Sequence, residues 1–327
     1  MISKILLSAA FLFSALTAFS QNDNGEKMPN KMIKVNNPIY MLQGKGGNIG
    51  LSIGYDGIFM IDDQYSEGIK QIQEDIKKKS DKPVRFLLNT HFHGDHTGGN
   101  AAMAETGTVI FSQENVRDRL QKIMQNEEKK IPMESLPVVT FSEDLTFHFN
   151  NEKIYIFHLH NAHTDGDAMV YFTGSNVLHT GDIFFNGKYP YIDTENGGSL
   201  MGYIEAIEKA LHIINEDTKI IPGHGNVGSY QDLQSALDML YTVYKKVTAN
   251  YINKKTEEEI VKMTDITKQY DYLGYGTGFI KTEDFLKMVY GEVAKERSYI
   301  KDNEAVNKKA REKVEQMMKE QEKKKKG

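Results

Sequence analysis

Hydrophobic positions change period several times along the chain, and the changes mark its elements. From Met32 the pattern is strand-like: Ile39-Tyr40-Met41-Leu42, then residues 51–53 and 57–61, joined by tight turns. One of those turns is the glycine-rich Gly44-Lys45-Gly46-Gly47-Asn48-Ile49-Gly50. Such glycines suggest a dinucleotide loop, but that loop opens a helix, whereas Leu51-Ser52-Ile53 continues as strand, so the reading is discarded. Residues 65–79 switch to helical spacing at Ile69, Ile72 and Ile76, with lysines at the end that suits the helix dipole. The apolar strand 84–89 then runs directly into Thr90-His91-Phe92-His93-Gly94-Asp95-His96.

Beyond this point the pattern predicts a short helix over 96–105, a strand over 109–111 and an amphipathic helix over 113–125. Alternation returns over 145–149, 154–160 and 169–172, with a further strand at Val177-Leu178. Residues 200–214 are helical, and Lys219-Ile220-Ile221-Pro222-Gly223-His224-Gly225 is a strand ending in a turn. Strands, helices, strands, helices is the order of two packed sheets with helices outside, an α/β sandwich around one core. From Tyr230 the chain reads as helix, with Leu233, Leu237, Leu240, Tyr244 and Val247 on one face. Residues 251–297 continue as helices on either side of Gly274-Tyr275-Gly276-Thr277-Gly278, their tyrosines read as core packing. The tail 301–327 is polar, with a thin stripe at Val306, Ala310, Val314 and Met317 and four lysines before the last glycine. It reads as a frayed, solvated helix, a membrane-surface role being the alternative.

The N-terminus speaks to the compartment. Lys4 precedes an apolar run over residues 5–19, and the small Ala18 and Ser20 stand where a signal peptidase requires them before Gln21. The expectation is a cleaved leader over 1–20 and a periplasmic or secreted mature chain without a membrane span; the run is short for a bilayer. Across 327 residues, 39% hydrophobic and 26% charged is ordinary for a soluble enzyme. A net charge of -5 gives no global attraction for nucleic acid. With no cysteine, disulfides, a lipoprotein anchor, thiolate ligands and a cysteine nucleophile are excluded, so any metal must sit on histidine and carboxylate.

Histidine is scarce, 10 in the chain, yet three fall in His91-x-His93-x-Asp95-His96. At a strand end His91 and His93 project to one side and can share an ion, and the following turn lets Asp95 and His96 face a second. Imidazole and carboxylate suit zinc at roughly 2.0–2.2 Å. Three further segments carry polar residues after apolar strands: His163-Thr164-Asp165-Gly166-Asp167, His179-Thr180-Gly181-Asp182 and Pro222-Gly223-His224-Gly225. His148, His158, His160 and His212 lie within strands or a helix and read as structural. His179, three residues before Asp182, either orients a ligand from behind or is structural. Asp62 and Asp63, after strand 57–61, either hold a ligand histidine or cap a turn.

Together the four segments resemble the metallo-β-lactamase superfamily, in motif, order and spacing, over about residues 32–226. The resemblance implies an αββα sandwich, here followed by a helical extension over 227–300 packed on the core and the charged tail over 301–327. It also implies two zinc ions: His91, His93 and His163 on the first, Asp95, His96 and His224 on the second, and Asp182 bridging both. Two nearby cations need a shared anion, and a carboxylate has two oxygens to offer. A water bridging them would ionise near neutral pH and serve as nucleophile, with Asp95 orienting it and passing on its proton.

The resemblance leaves the substrate, a small molecule, open. Zinc β-lactamases with cysteine in the second site usually carry, three residues later, a lysine that holds the drug carboxylate; here Asp182 is followed at that offset by Phe185. Lys188, in the same loop, either substitutes as a substrate anchor or is a solvated lysine. The aspartate looks like the pattern of lactonases and thioester hydrolases, so hydrolysis of an ester, lactone, thioester or amide is expected, with β-lactam hydrolysis the alternative. A second alternative is a persulfide dioxygenase with a single iron in the first site. A noncatalytic binding module would predict a broken ligand set, whereas all seven positions are filled.

Overall fold

Every strand residue of Gly57–Ile61 is buried, which requires cover on both faces of its sheet. The computed structural model, which describes residues 30–126 and 130–326, supplies that cover; the expected leader lies outside the described residues. Strands Lys31–Asn36 (β1), Ile39–Gln43 (β2), Ile49–Gly54 (β3), Gly57–Ile61 (β4), Val84–Asn89 (β5), Val109–Gln113 (β6) and Val139–Phe141 (β7) form a sheet in sequence order. Pairing is antiparallel from β1 to β4 and parallel from β4 to β7. Parallel neighbours need crossovers. These are helices Ile69–Lys79 (α1), the short Gly94–Thr97 (α2) with Asn100–Glu105 (α3), and Glu114–Gln125 (α4).

A second sheet contains Asp144–Phe149 (β8), Glu152–Leu159 (β9), Asp167–Phe172 (β10), Val177–His179 (β11), Lys219–Ile221 (β12) and Gly228–Ser229 (β13), ordered β13-β12-β11-β10-β9-β8. Its one parallel pair, β11 with β12, is connected through helix Leu200–Ile213 (α5). The chain continues as Tyr230–Ile252 (α6), Glu257–Val261 (α7), Lys268–Tyr272 (α8) and Thr282–Lys326 (α9). Ser229 and Asp232 close a capping box at the start of α6.

Alternation along the strands sorts side chains into three apolar layers. Phe59, Ile61, Leu88 and Phe111 face Ile154, Ile156, Val170, Phe172 and Ile221 between the sheets. Ile58, Met60, Leu87 and Ile110 point outward to Ile69, Ile72 and Ile76 of α1. On the far side, Phe157, Met169, Leu178 and Ile220 meet α5 and α6 together with Phe285, Val289 and Val293 of α9. The result is the αββα order the pattern implies, with the C-terminal helices sharing the outer layer of the second sheet. Among the described residues no helix is long and apolar enough to cross a membrane.

Three local readings shift. The helix expected over 96–105 is divided by Gly98-Gly99 into α2 and α3. Strand β7 carries no burial alternation, its Val139 being 48% exposed, so the sequence pattern had nothing to reveal it. The last helix runs unbroken to Lys326, where a separate tail helix was expected; the stripe from Val306 to Met317 lies outside the side chains described.

Phe59 is central to the layer between the sheets, meeting Phe111, Phe147 and Phe172 edge-on at 5.7, 5.5 and 6.3 Å between ring centroids. Replacing it by Ala removes those contacts and leaves a cavity, with an expected loss of about 3–5 kcal/mol in urea unfolding. A loss below about 1 kcal/mol, within the range of surface changes, would contradict this placement.

Candidate metal centre

The loops that leave the C-terminal ends of β5, β9, β11 and β12 meet at one edge of the sandwich. They deliver His91, His93, Asp95 and His96, then His163, Asp182 and His224. The seven residues form two groups, His91, His93, His163 and Asp182 in one and Asp95, His96 and His224 in the other, with ligand atoms within 4.8 Å of one another in each. Asp182 faces both. Its Oδ2 lies 3.8 Å from His91 Nε2 and 3.7 Å from His163 Nε2, while Oδ1 lies 3.1 Å from His96 Nε2 and 3.4 Å from His224 Nε2.

Hydrogen bonds on the outer side of the rings fix which nitrogens are bare. His163 Nδ1 donates to the Tyr191 carbonyl at 2.8 Å, so its Nε2 carries a lone pair. His93 Nε2 donates to Asp193 Oδ2 at 2.9 Å, which leaves Nδ1 bare. These two bare nitrogens face each other at 2.9 Å and repel unless a cation or proton joins them. His96 Nδ1 donates to Asp62 Oδ2 at 2.7 Å, turning Nε2 inward. His91 Nε2, His96 Nε2 and Asp182 Oδ1 are all buried without a hydrogen-bond partner. Buried polar atoms without hydrogen-bond partners, gathered around one carboxylate, are what a metal ion satisfies, and a donor set of imidazole and carboxylate without sulfur fits zinc.

Supporting residues hold the ligands in place. Asp62, with φ 59°, accepts from Thr90 N and Thr90 Oγ1 at 2.7 Å each as well as from His96. Asp63 Oδ1 accepts from Gly99 N at 2.9 Å. Of the two roles left open for this pair of carboxylates, Asp62 therefore holds a histidine and Asp63 secures a turn. The glycine-rich turn lies over the second group: Gly47 N donates to Asp95 O at 3.0 Å and Asn48 N to Gly223 O at 2.7 Å. A Cβ on Gly47 would stand 2.2 Å from His96 Cε1, so only glycine lets the backbone come this close. His179 Nε2 donates to Asn48 O at 3.0 Å, and its Nδ1 accepts from Gly181 N at 3.2 Å. It braces that turn and the backbone just before Asp182, and its ring hydrogen-bonds none of the seven side chains.

The remaining assignments sort cleanly. His148, His158, His160 and His212 stay outside both groups; His158 bonds the Asp167 carbonyl, His160 the Glu143 carboxylate and His212 the Glu208 carbonyl. The ammonium of Lys188, expected either to anchor substrate or to be solvated, instead donates to Gly274 O at 2.9 Å and Thr277 Oγ1 at 2.6 Å. It ties the loop after Asp182 to the C-terminal extension. Sequence reasoning missed Asp193: its loop has no periodicity, and its partner His93 is 100 residues away.

Charge within the site is divided. Burial, then His96, holds His91 well below the usual histidine value of 6.5, and burial with His93 takes His163 down to about 4. Burial opposes protonation of His96 too, but Asp182, Asp95 and Asp62 raise it well above 6.5. Against the same burial, Asp182 and Asp95 raise His224 to about 9. Asp182 is held well below the carboxylate range by His96 and His224, which outweigh its burial. The carboxylates therefore favour positive charge on His96 and His224, while burial disfavours it on His91 and His163.

A family model described as the metallo-beta-lactamase superfamily matches residues 62–224, from Asp62 to the last of the seven residues. The chain is 25% identical over 185 residues to the metallo-beta-lactamase type 2 of Bacillus sp. (strain 170), covering 56% of this chain and 68% of that protein. It is 30% identical over 114 residues to the hydroxyacylglutathione hydrolase of Pelagibacter ubique (strain HTCC1062), covering 34% and 41% respectively. Its fold is similar to that of the metallo-beta-lactamase from Pontibacter korlensis, with a TM-score of 0.56, 19% identity, and coverage of 65% of this chain and 99% of that one. Fold and site define a hydrolase with a histidine and aspartate metal centre. The chain belongs to the metallo-β-lactamase superfamily.

Two outcomes follow from this geometry. Gly47→Ala displaces the His96 ring and should weaken zinc at the second group by about 10–100-fold, the usual range for losing ligand support; an unchanged zinc titration would reject the contact. A zinc ion entering the second group would have to displace protons favoured on His96 and His224, whereas burial lowers the values of His91 and His163. Calorimetry in buffers of differing ionisation enthalpy should show release of about one to two protons at pH 7, and affinity at the second group rising with pH until about 9. Binding at pH 7 without proton release would contradict the assignment.

Proposed function

We propose that the chain is a dinuclear zinc hydrolase that cleaves an ester, lactone, thioester or amide bond in a small molecule. The observation that carries this reading is Asp182, whose side chain is 4% exposed and presents one oxygen to each group. One buried carboxylate thus serves two cation seats. His91, His93 and His163 would hold one ion, Asp95, His96 and His224 the other. Bound zinc supplies positive charge to polarise a carbonyl oxygen and brings the pKa of a water into the neutral range.

The chain's own residues do the rest. Asp95 is the more open carboxylate, 21% exposed, with Oδ2 at 3.3 Å from His224 Nε2 and 3.7 Å from His96 Nε2. Placed at the mouth, it accepts a proton from the attacking water and returns it to the leaving group. His91, His96 and His163 are fully buried behind it and keep bulk water from the rear of the site, which strengthens every charge interaction there. Asp62, Asp193 and the Tyr191 carbonyl hold three imidazoles in one tautomer, so little reorganisation accompanies the reaction.

Similarity to a hydroxyacylglutathione hydrolase supports acyl transfer to water. Similarity to a metallo-beta-lactamase type 2 supports β-lactams as test substrates, although Lys188 is engaged away from the role it would need there. The leader expected over residues 1–20 would place the reaction in the periplasm or outside the cell.

The test is turnover by the metal-quantified protein on lactone, thioester, carboxylic ester and β-lactam substrates. About two zinc ions per chain with hydrolysis of at least one class is expected. One iron with oxygen consumption would overturn the reading. Asp182→Ala should lose about one zinc and cut kcat by about 100-fold or more; unchanged metal content and rate would remove Asp182 from the mechanism.

A further inference from the structure

The loop after Asp182 and the C-terminal extension are fastened together beside the metal centre. Besides the two hydrogen bonds of Lys188, Tyr189 OH donates to Asp271 Oδ1 at 2.9 Å, and the same oxygen accepts from Thr282 Oγ1 at 2.6 Å. The Tyr189 ring stacks on Phe285 of α9 with centroids 4.4 Å apart and planes at 12°. The segment between Asp271 and Thr282 is therefore held from both ends. Its backbone carries Phe279, which lies beyond the residues matched by the family model.

Phe279 meets the ring of Tyr191 edge-on at 6.0 Å. Tyr191 in turn stands 5.9 Å from the His93 ring and 5.8 Å from the His163 ring, and its carbonyl is pinned by His163 Nδ1. Phe279 is 50% exposed and Tyr191 36% exposed, although both belong to fixed segments. Phe185 stacks on His224 at 5.1 Å and 16° and also meets the His163 ring edge-on at 6.4 Å. The mouth of a strongly polar site is thus flanked by aromatic faces, one of them delivered by the extension. Apolar surface left open against a polar centre and held rigid loses little entropy when a ligand covers it.

We propose that Phe279 and Tyr191 form an apolar wall on the His93 and His163 side of the centre, seating the aliphatic or aromatic acyl group of the substrate. This inference rests on the hydrolase reading. It makes the extension a specificity element, with Lys188 and Tyr189 as positioning residues that fix where Phe279 stands. Each methylene laid on the wall leaves water, so affinity grows with acyl length.

Two probes separate the wall from the chemistry. The zinc-loaded full chain is titrated calorimetrically with acetohydroxamate and octanohydroxamate, which share a metal-binding head and need no turnover. Kinetics on p-nitrophenyl acetate and octanoate provide the second arm. The parent should favour octanohydroxamate by about tenfold or more and show the same order in kcat/KM. Phe279→Ala should abolish most of that ratio, and Phe279→Leu, which keeps an apolar face, should restore it. Equal affinity for the two hydroxamates, failure of octanohydroxamate to bind, or an undiminished ratio in Phe279→Ala overturns the wall. A Phe279-dependent preference in binding without hydrolysis of either ester supports the wall and counts against the hydrolase reading instead.

Discussion

The Asp182 carboxylate is buried where loops from both sheets meet, and its Oδ1 has no hydrogen-bond partner among the described residues. An unpaired buried charge costs several kcal/mol, so it persists only if countercharge is brought to it. Four imidazoles supply the lining for that countercharge: His91 and His163 toward one oxygen, His96 and His224 toward the other. His91 and His96 follow β5, His163 follows β9 and His224 follows β12, so the four meet only because the sandwich brings those strand ends together. Strands β5, β9, β11 and β12 end at the same edge, and the packed apolar layers fix how far apart those ends are.

Close approach of the backbone is the second half of that constraint. The glycine-rich turn after β2 carries no chemistry, yet Gly47 rests against the His96 ring and Asn48 binds the carbonyls of Pro222 and Gly225 at 2.9 Å each. Gly223 lies so near Asp182 that a Cβ there would fall 2.0 Å from Oδ1. His179 links the turn to Gly181, which adopts φ 52° immediately before Asp182. Ligand positions in the second group thus depend on residues that hydrogen-bond backbone rather than ligand side chains.

Much of this was legible because its signals are local. The strand over residues 84–89, running into His91-x-His93-x-Asp95-His96, shows both the burial of a strand and the abrupt arrival of metal-binding residue types. His163, Asp182 and His224 each follow an apolar strand in the same way. What stayed hidden is set by distance in the chain. Asp193 reaches His93 across 100 residues from an irregular loop, and Lys188 finds its partners 86 and 89 residues further on. A lysine in a loop near the site looks the same in sequence whether it holds a substrate or ties down a distant turn. The glycines were visible, but the surface they approach was not.

The proposed hydrolysis by two zinc ions rests on the double face of Asp182. A crystal grown with zinc and measured on both sides of the zinc absorption edge tests this most directly. The account predicts two anomalous peaks, one about 2.0–2.2 Å from ligand atoms of His91, His93 and His163 and one similarly placed for Asp95, His96 and His224, with an Asp182 oxygen on each. A single peak, or two peaks with Asp182 bound to neither or only one, would contradict it.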